Sequence, residues 1–194
     1  MSDDRTLRIR AVEVAASQIL RQVMPADEPM DGIRETPERV GRMWVEELTI
    51  GYDVDVPSLF RLFDAEDFAG MIVVKDIPVR SLCEHHLVPI VGYAHLGYFP
   101  AGRVIGLSKL ARLVEAYARR LQVQERLTRQ VHAAMSEHLE QNGVAVMIEA
   151  EHMCMTLRGV QAPGTKTVTA TMTGRFQETQ VKDEFLASIQ RNGH

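Results

Sequence analysis

A run of four residues combines a thiol, a carboxylate and two imidazoles: Cys83, Glu84, His85 and His86. A cysteine and a histidine separated by two residues can turn both side chains onto one metal ion, which provides half of a tetrahedral site. The other cysteine of the chain is Cys154. A ligand set of Cys83, His86 and Cys154 would leave the fourth position to water, and an open position is typical of catalytic zinc.

Three other interpretations of this run stay open. A cysteine nucleophile with a histidine base would use one thiol and leave the other cysteine idle. A structural zinc ion would need a fourth protein ligand, which Glu84 or His152 could supply. A polar strand end that faces solvent would need no chemistry at all.

Two histidines are candidates for proton transfer, because imidazole titrates near neutral pH. His85 stands directly before the candidate ligand His86. His152 precedes Cys154 by two positions in a segment that alternates like a strand, so we expect the side chains of His152 and Cys154 to share one face. The alternative for His152 is a hydrogen-bonded histidine with a structural purpose.

A cluster of hydroxyl and cationic side chains opens a predicted helix: Ser108, Lys109 and Arg112. The N-terminus of a helix offers free N–H groups and a positive dipole end, which suit phosphate. The alternative is an N-cap serine followed by a solvated cationic face. Arg158 could add a bidentate phosphate contact. Two further cations, for which spacing gives no reason to face a ligand, are Arg39 and Arg42.

The start of the next predicted helix carries Gln124 and Glu125. A carboxylate at this position interacts favourably with the helix dipole, which would be a sufficient explanation. The functional alternative is base recognition, because a carboxylate can accept hydrogens from both N1–H and the 2-amino group of guanine.

The composition bounds the class of protein. The chain has 194 residues, of which 45% are hydrophobic and 25% charged, and a net charge of −4. No apolar run approaches the roughly 18 residues that a membrane span needs, and the charged N-terminus does not resemble a secretory signal. We therefore expect a cytoplasmic protein without a membrane or nucleic-acid partner, in which an anionic ligand is bound by a local cationic cluster.

The periodicity predicts two regions, a helical N-terminal region at 1–68 and a main domain at 69–194. In the first, two helices flank a Pro/Gly loop over 24–32, and Thr36 is placed to cap the second helix. The main domain reads strand–strand–helix–helix–strand–strand, with a short C-terminal helix, and Pro78 suggests a bulge or edge in the first strand. This order predicts an α+β fold: a four-stranded antiparallel sheet with two helices on one face. Open sheet edges favour oligomerisation.

The candidate residues lie in stretches that closely resemble the GTP cyclohydrolase I family, which has the tunnelling fold. The matching stretches share the family's order and spacing and cover most of 34–176: ETPERVGRMW, SLCEHHLVPI, VIGLSKLARLVE, QVQERLT, EHMCMTLRGV and TKTVTATMTGRF. The resemblance implies zinc-dependent hydrolysis and rearrangement of GTP to 7,8-dihydroneopterin triphosphate and formate, the first step of tetrahydrofolate and pterin biosynthesis.

The same resemblance implies a role for each candidate. The zinc ligands would be Cys83, His86 and Cys154. The catalytic histidines would be His85 and His152. The guanine would be held by Glu125 with help from Gln124. The triphosphate would be held by Ser108, Lys109, Arg112 and Arg158, and from a neighbouring chain by Arg39 and Arg42. The family builds such sites between subunits of a homodecamer.

Two alternative functions stay open. The chain could be an enzyme of the same fold that acts on another pterin or on a deazapurine, or a non-catalytic zinc-binding module. Some members of the family are under feedback control, and the sequence leaves allosteric regulation of this chain open.

Overall fold

The computed structural model describes residues 2–25 and 31–190. The chain forms two compact units, Met1–Ile50 and Gly51–His194. The boundary predicted near residue 68 lies inside the second unit, and the division into domains at that position stays a prediction. Within the described ranges, no helix is long and apolar enough to cross a membrane.

The first unit is helical. Helix α1 spans Ser2–Val23, helix α2 spans Thr36–Arg42, and a π-helical stretch continues α2 over Met43–Leu48. A side chain at Gly41 would bring its Cβ within 2.8 Å of the carbonyl oxygen of Ile9, so this glycine allows α1 and α2 to pack closely. Part of the predicted loop between the helices falls on 26–30, outside the described residues.

The predicted cap of α2 is wrong by one position. The N-cap residue is Glu35, whose side chain makes no capping hydrogen bond, and Thr36 is already the first helical residue. Pro37 fits the first turn because a proline there removes an N–H that has no partner inside the helix.

The second unit contains an α+β arrangement. Its strands are β1 Leu62–Asp64, β2 Ile72–Cys83, β3 Pro89–Pro100, β4 Arg103–Ile105, β5 Leu121–Gln122, β6 Gln141–His152 and β7 Lys166–Met172. Its helices are α3 Leu107–Ala118, α4 Gln124–His138, α5 Met153–Thr156 and α6 Thr179–Ile189.

The main sheet differs from the predicted one. It has five strands in the order β5-β2-β3-β6-β7, and β1 and β4 form a separate two-stranded sheet. The four predicted strands are antiparallel neighbours, whereas β5 pairs parallel to β2. The predicted four-stranded antiparallel sheet is therefore corrected to a five-stranded mixed one. The added strand has two residues, too short for a periodic pattern to reveal.

The core forms on both faces of this sheet. On one face, buried residues of the central strands pack against α3 and α4; they include Ala94, Leu96, Val146, Ile148, Leu110, Leu113, Leu127 and Val131. Because alternate strand residues point to opposite faces, Phe99 and Ala145 point to the other side. There they join Phe176 and Phe185, and the latter belongs to α6. Both faces of the sheet are thus covered by packed side chains. This packing fixes the strands and, with them, the residues at the strand ends.

Strand β2 is irregular near its centre. Its register with β3 shifts between Val74 and Ile77, and Asp76 has a positive φ of 58°. Pro78 follows this bulge and lies where β5 has not yet begun to pair with β2. A proline, which lacks an N–H donor, is tolerated at such a place. The bulge that Pro78 suggests in the sequence is therefore present in β2.

Candidate metal centre and active site

The ends of three neighbouring strands lie together at one end of the sheet. Strand β2 ends at Cys83, β3 begins at Pro89 opposite Leu82, and β6 ends at His152 opposite Ile90. The two-residue strand β5 pairs Gln122 with Cys83, and α4 begins two residues after it. The sheet register therefore brings together candidate residues that lie far apart in the sequence.

A tight turn presents the first two metal-ligand candidates. Leu87 N–H donates to the carbonyl oxygen of Cys83 at 2.8 Å, and Cys83 N–H donates to that of Val88 at 2.9 Å. Leu87 takes a positive φ of 58°, which closes the turn. The turn leaves His86 Nδ1 3.6 Å from Cys83 Sγ. The spacing of two residues therefore places both donors on one point, as the sequence predicts.

The third candidate joins them. One donor atom from each of Cys83, His86 and Cys154 lies within 4.8 Å of the other two. Within the described part of the chain, this group has no fourth member among histidine, cysteine, aspartate and glutamate side chains. Two thiols and one imidazole are ligands that zinc prefers, and three protein ligands match an open catalytic site better than a closed structural one. The residues present therefore fit zinc.

The strand that was expected to carry Cys154 ends before it. Strand β6 stops at His152, and Cys154 lies in the short helix α5. The prediction that His152 and Cys154 share a strand face is therefore wrong, because the backbone changes from extended to helical between them. As a result Cys154 turns toward Cys83, whereas His152 turns toward Gln124.

The thiol of Cys154 is protonated more tightly than a free cysteine. Burial raises its pKa, the neighbouring Cys83 raises it further, and the positive charge of Arg158 acts in the opposite direction. Two thiols in a partly desolvated place repel as thiolates, so a bound cation would be needed to hold both in the ligand form.

The side chain of His152 makes a hydrogen bond to a buried part of the protein. Its Nε2 lies 2.8 Å from Oε1 of Gln124, a side chain that is itself buried. Burial lowers the pKa of His152, and the carboxylate of Glu125 acts in the opposite direction. Glu125 is exposed in the first turn of α4 and free to face a ligand. The guanine-binding role of Gln124 and Glu125 stays a prediction.

The second candidate for proton transfer is accessible. The side chain of His85 is 64% exposed, and its Nε2 lies 3.7 Å from Oε1 of Glu84. The rings of His85 and His86 meet edge to face, with centroids 6.2 Å apart. The side chains of the two adjacent histidines thus have different orientations, and only His86 belongs to the metal-ligand group.

Glu84 has a partner that the sequence did not indicate. Both of its carboxylate oxygens accept hydrogen bonds from the guanidinium of Arg126, from Nη2 to Oε1 at 3.0 Å and from Nη1 to Oε2. The hydrogen bonds from Arg126 hold the pKa of Glu84 below its usual value, against the opposing effect of desolvation. The pair ties the turn of Cys83 and His86 to the first turn of α4.

The cationic candidates lie in three places. Helix α3 begins at Leu107 with Gly106 as its N-cap, so Ser108 is not the cap and its hydroxyl is exposed. Lys109 and Arg112 follow on the same helix, and Arg158 is exposed beyond α5. In the first unit, ion pairs of 2.5 Å and 2.6 Å join Arg39 to Glu35 and Arg42 to Glu38.

The Glu84–Arg126 pair is expected to affect metal affinity. Replacing Arg126 by methionine removes the tie to α4, so we expect zinc affinity to fall by roughly tenfold, as for other groups that orient metal ligands. Competition with a chromophoric chelator measures this affinity. Arg129→Met, on the same helix at an exposed position, is the matched control and should bind zinc like the parent protein. Equal zinc affinity in all three proteins would contradict a positioning role for the pair.

The fold and the site define a protein of the α+β class with a three-ligand group suited to a catalytic metal. A family model described as GTP cyclohydrolase I matches residues 12–190. The GTP cyclohydrolase 1 of Rattus norvegicus is 47% identical over 190 residues, which cover 96% of this chain and 78% of that protein. The GTP cyclohydrolase 1 of Caldanaerobacter subterraneus subsp. tengcongensis is 45% identical over 180 residues, which cover 92% of this chain and 95% of that protein.

Among solved structures, the archaeosine synthase QueF-Like in the apo form matches with a TM-score of 0.45 at 15% identity, over 54% of this chain and 93% of that chain. The chain belongs to the GTP cyclohydrolase I family. It is an enzyme of that class.

Proposed function

We propose that this chain converts GTP to 7,8-dihydroneopterin triphosphate and formate in a reaction that depends on zinc held by Cys83, His86 and Cys154. The observation that supports the metal is the approach of their three donor atoms to within 4.8 Å. When bound, zinc would act as a Lewis acid and lower the pKa of water toward ~7.

The chain's own residues would move the protons. A first hydrolysis would add water at C8 and break one C8–N bond of the purine, and His85, exposed beside the ligand turn, would exchange a proton with N7 as the imidazole ring opens. A second hydrolysis releases C8 as formate. His152 would then assist opening of the ribose, after which rearrangement and ring closure give the pterin. Imidazole suits both tasks because its pKa lies near neutrality.

The remaining candidates would bind the substrate. Glu125 would accept hydrogens from N1–H and the 2-amino group of the guanine, which its exposed position at the start of α4 allows. The triphosphate would be held by charge-assisted hydrogen bonds from Ser108, Lys109, Arg112 and Arg158. If these cationic side chains come together around the triphosphate, a chain of net charge −4 can bind a polyanion.

We propose further that the working form is a homodecamer of tunnelling-fold subunits in the cytoplasm. In the described sheet, β5 and β7 are the outer strands, and open edges of this kind favour association with another copy. Arg39 and Arg42 would then reach the triphosphate from a neighbouring chain.

Removing the metal tests the proposed function. Turnover of GTP is followed through the fluorescence of the oxidised pterin product, in zinc-loaded protein and after dialysis against a chelator. We expect the rate to fall at least about a hundredfold on metal removal, because Lewis-acid activation is lost, and to return when zinc is restored. Magnesium is the control ion, since two thiols suit it poorly. Full turnover by zinc-free protein would contradict the proposal.

A further inference from the structure

We propose that Gln124 is a positioning residue that fixes the tautomer and the orientation of His152. This inference rests on the catalytic role proposed above for His152. It gives Gln124 a different task from the guanine contact that the family resemblance implies.

The orientation of the Gln124 carboxamide follows from its neighbours. Its nitrogen lies 3.0 Å from the carbonyl oxygen of Ile148 and 2.9 Å from that of Thr167. Carbonyl oxygens only accept hydrogen bonds, so the NH₂ end of the amide must face them. An amide turned by 180° would set oxygen against oxygen. The oxygen end, Oε1, must therefore face His152.

The amide orientation in turn determines the tautomer of His152. Its Nε2 is 2.8 Å from Gln124 Oε1, and an amide oxygen offers lone pairs but no hydrogen. His152 Nε2 must therefore carry the proton and donate a hydrogen bond to Gln124 Oε1. In the neutral ring the other nitrogen, Nδ1, is then unprotonated and keeps its lone pair.

A closed hydrogen-bond network holds the carboxamide in place. Gln124 Nε2 lies 3.1 Å from Thr169 Oγ1, which lies 2.6 Å from Thr128 Oγ1, which donates to the backbone oxygen of Gln124 at 2.9 Å. Each member of this ring donates one hydrogen bond to the next if the hydroxyl of Thr169 donates to that of Thr128. The members come from α4 and β7, and β6 adds the Ile148 carbonyl, so the amide is anchored on rigid elements.

Gln124 and the next residue, Glu125, differ in how far their side chains are exposed to solvent. Gln124 is 1% exposed, whereas Glu125 is exposed. The two hydrogens of the buried amide are already shared among three protein oxygens, and its oxygen faces His152. The exposed carboxylate is left to meet the base, so the two adjacent residues divide positioning and recognition between them.

Steady-state kinetics of Gln124→Leu distinguish positioning from guanine binding. Positioning predicts that kcat falls by about a hundredfold, the lower end of what general acid–base catalysis contributes, with KM for GTP within about twofold of the parent because uniform binding is untouched. A raised KM with an unchanged kcat would overturn the proposal. Zinc content should stay at the parent level.

A double-mutant cycle gives a second, independent readout. If Gln124 acts through His152, Gln124→Leu should cost nothing further in a His152→Ala background. A loss that multiplies with that of His152→Ala would overturn the proposal, because the two residues would then act separately.

Variants of the network cover the case in which Gln124→Leu does not fold. Thr169→Val removes one acceptor of the amide and should lower kcat, while Thr169→Ser restores the hydroxyl and the rate. Thr171→Val is the matched control, two residues along the same face of β7, and should retain the parent kcat. Equal losses in Thr169→Val and Thr171→Val would overturn the proposal.

The tautomer itself is observable without turnover. In ¹⁵N-histidine-labelled, zinc-loaded protein, the His152 signals are assigned by their loss in His152→Ala, and we expect the pattern of an Nε2–H imidazole. An Nδ1–H pattern would overturn the inference even if GTP is turned over. An Nε2–H pattern in a protein that does not turn over GTP would leave the positioning intact and contradict the proposed function instead.

Discussion

Replacing Cys154 by alanine is expected to remove the bound zinc and to lower GTP turnover by at least about a thousandfold, since Lewis-acid activation of water contributes several kcal/mol. The reason is the size of the ligand group. It has three members, Cys83, His86 and Cys154, and two remaining ligands form a poor zinc site. Elemental analysis gives zinc per chain, and product fluorescence gives the rate.

The matched control for this prediction is Met155→Leu, on the same short helix as Cys154. An apolar swap of similar volume disturbs packing little, so zinc and turnover should both stay near the parent values. Stoichiometric zinc in Cys154→Ala would show that the ligand group is a different one. Zinc loss in both variants would point to the fold of α5 rather than to the thiol.

The second large effect is expected at His85. Replacing it by glutamine should lower kcat by about a thousandfold, within the range of general acid–base catalysis, while zinc per chain stays unchanged. The reason is geometric. His85 is exposed and lies outside the metal-ligand group, whereas its neighbour His86 belongs to that group. Steady-state product formation at saturating GTP and elemental analysis on the same samples measure the two quantities.

His138→Gln is the control for general effects of losing a histidine. His138 lies in the last turn of α4 and packs against the ring of Phe60, with centroids 4.7 Å apart. Turnover in this variant should match the parent protein. Loss of zinc from His85→Gln would reverse the roles of the adjacent histidines, and unchanged turnover would remove His85 from the chemistry.

Much of the site could be predicted from residue types and spacing. Cys83 and His86 stand at a separation that a single turn brings together as two candidate ligands, and only one further cysteine exists in the sequence to join them. The long strands and helices of the second unit also follow from periodicity, because each has enough residues for a pattern of period 2 or 3.6 to appear. Strand β5 has two residues and shows no such pattern.

Residue types and their neighbours along the chain indicate which side chains are candidates to bind zinc, move protons and attract phosphate, and they predict the order of the main strands and helices. These properties depend on residue type and on neighbours along the chain. Three features become visible only in the folded chain: Cys154 leaves the strand of His152, Glu84 pairs with Arg126, and Gln124 is buried against β6 and β7. Each of these depends on partners at least 24 residues away, or on where a strand stops pairing. Local patterns carry no information about such partners, because the sheet register that brings them together is set by the packing of the whole unit.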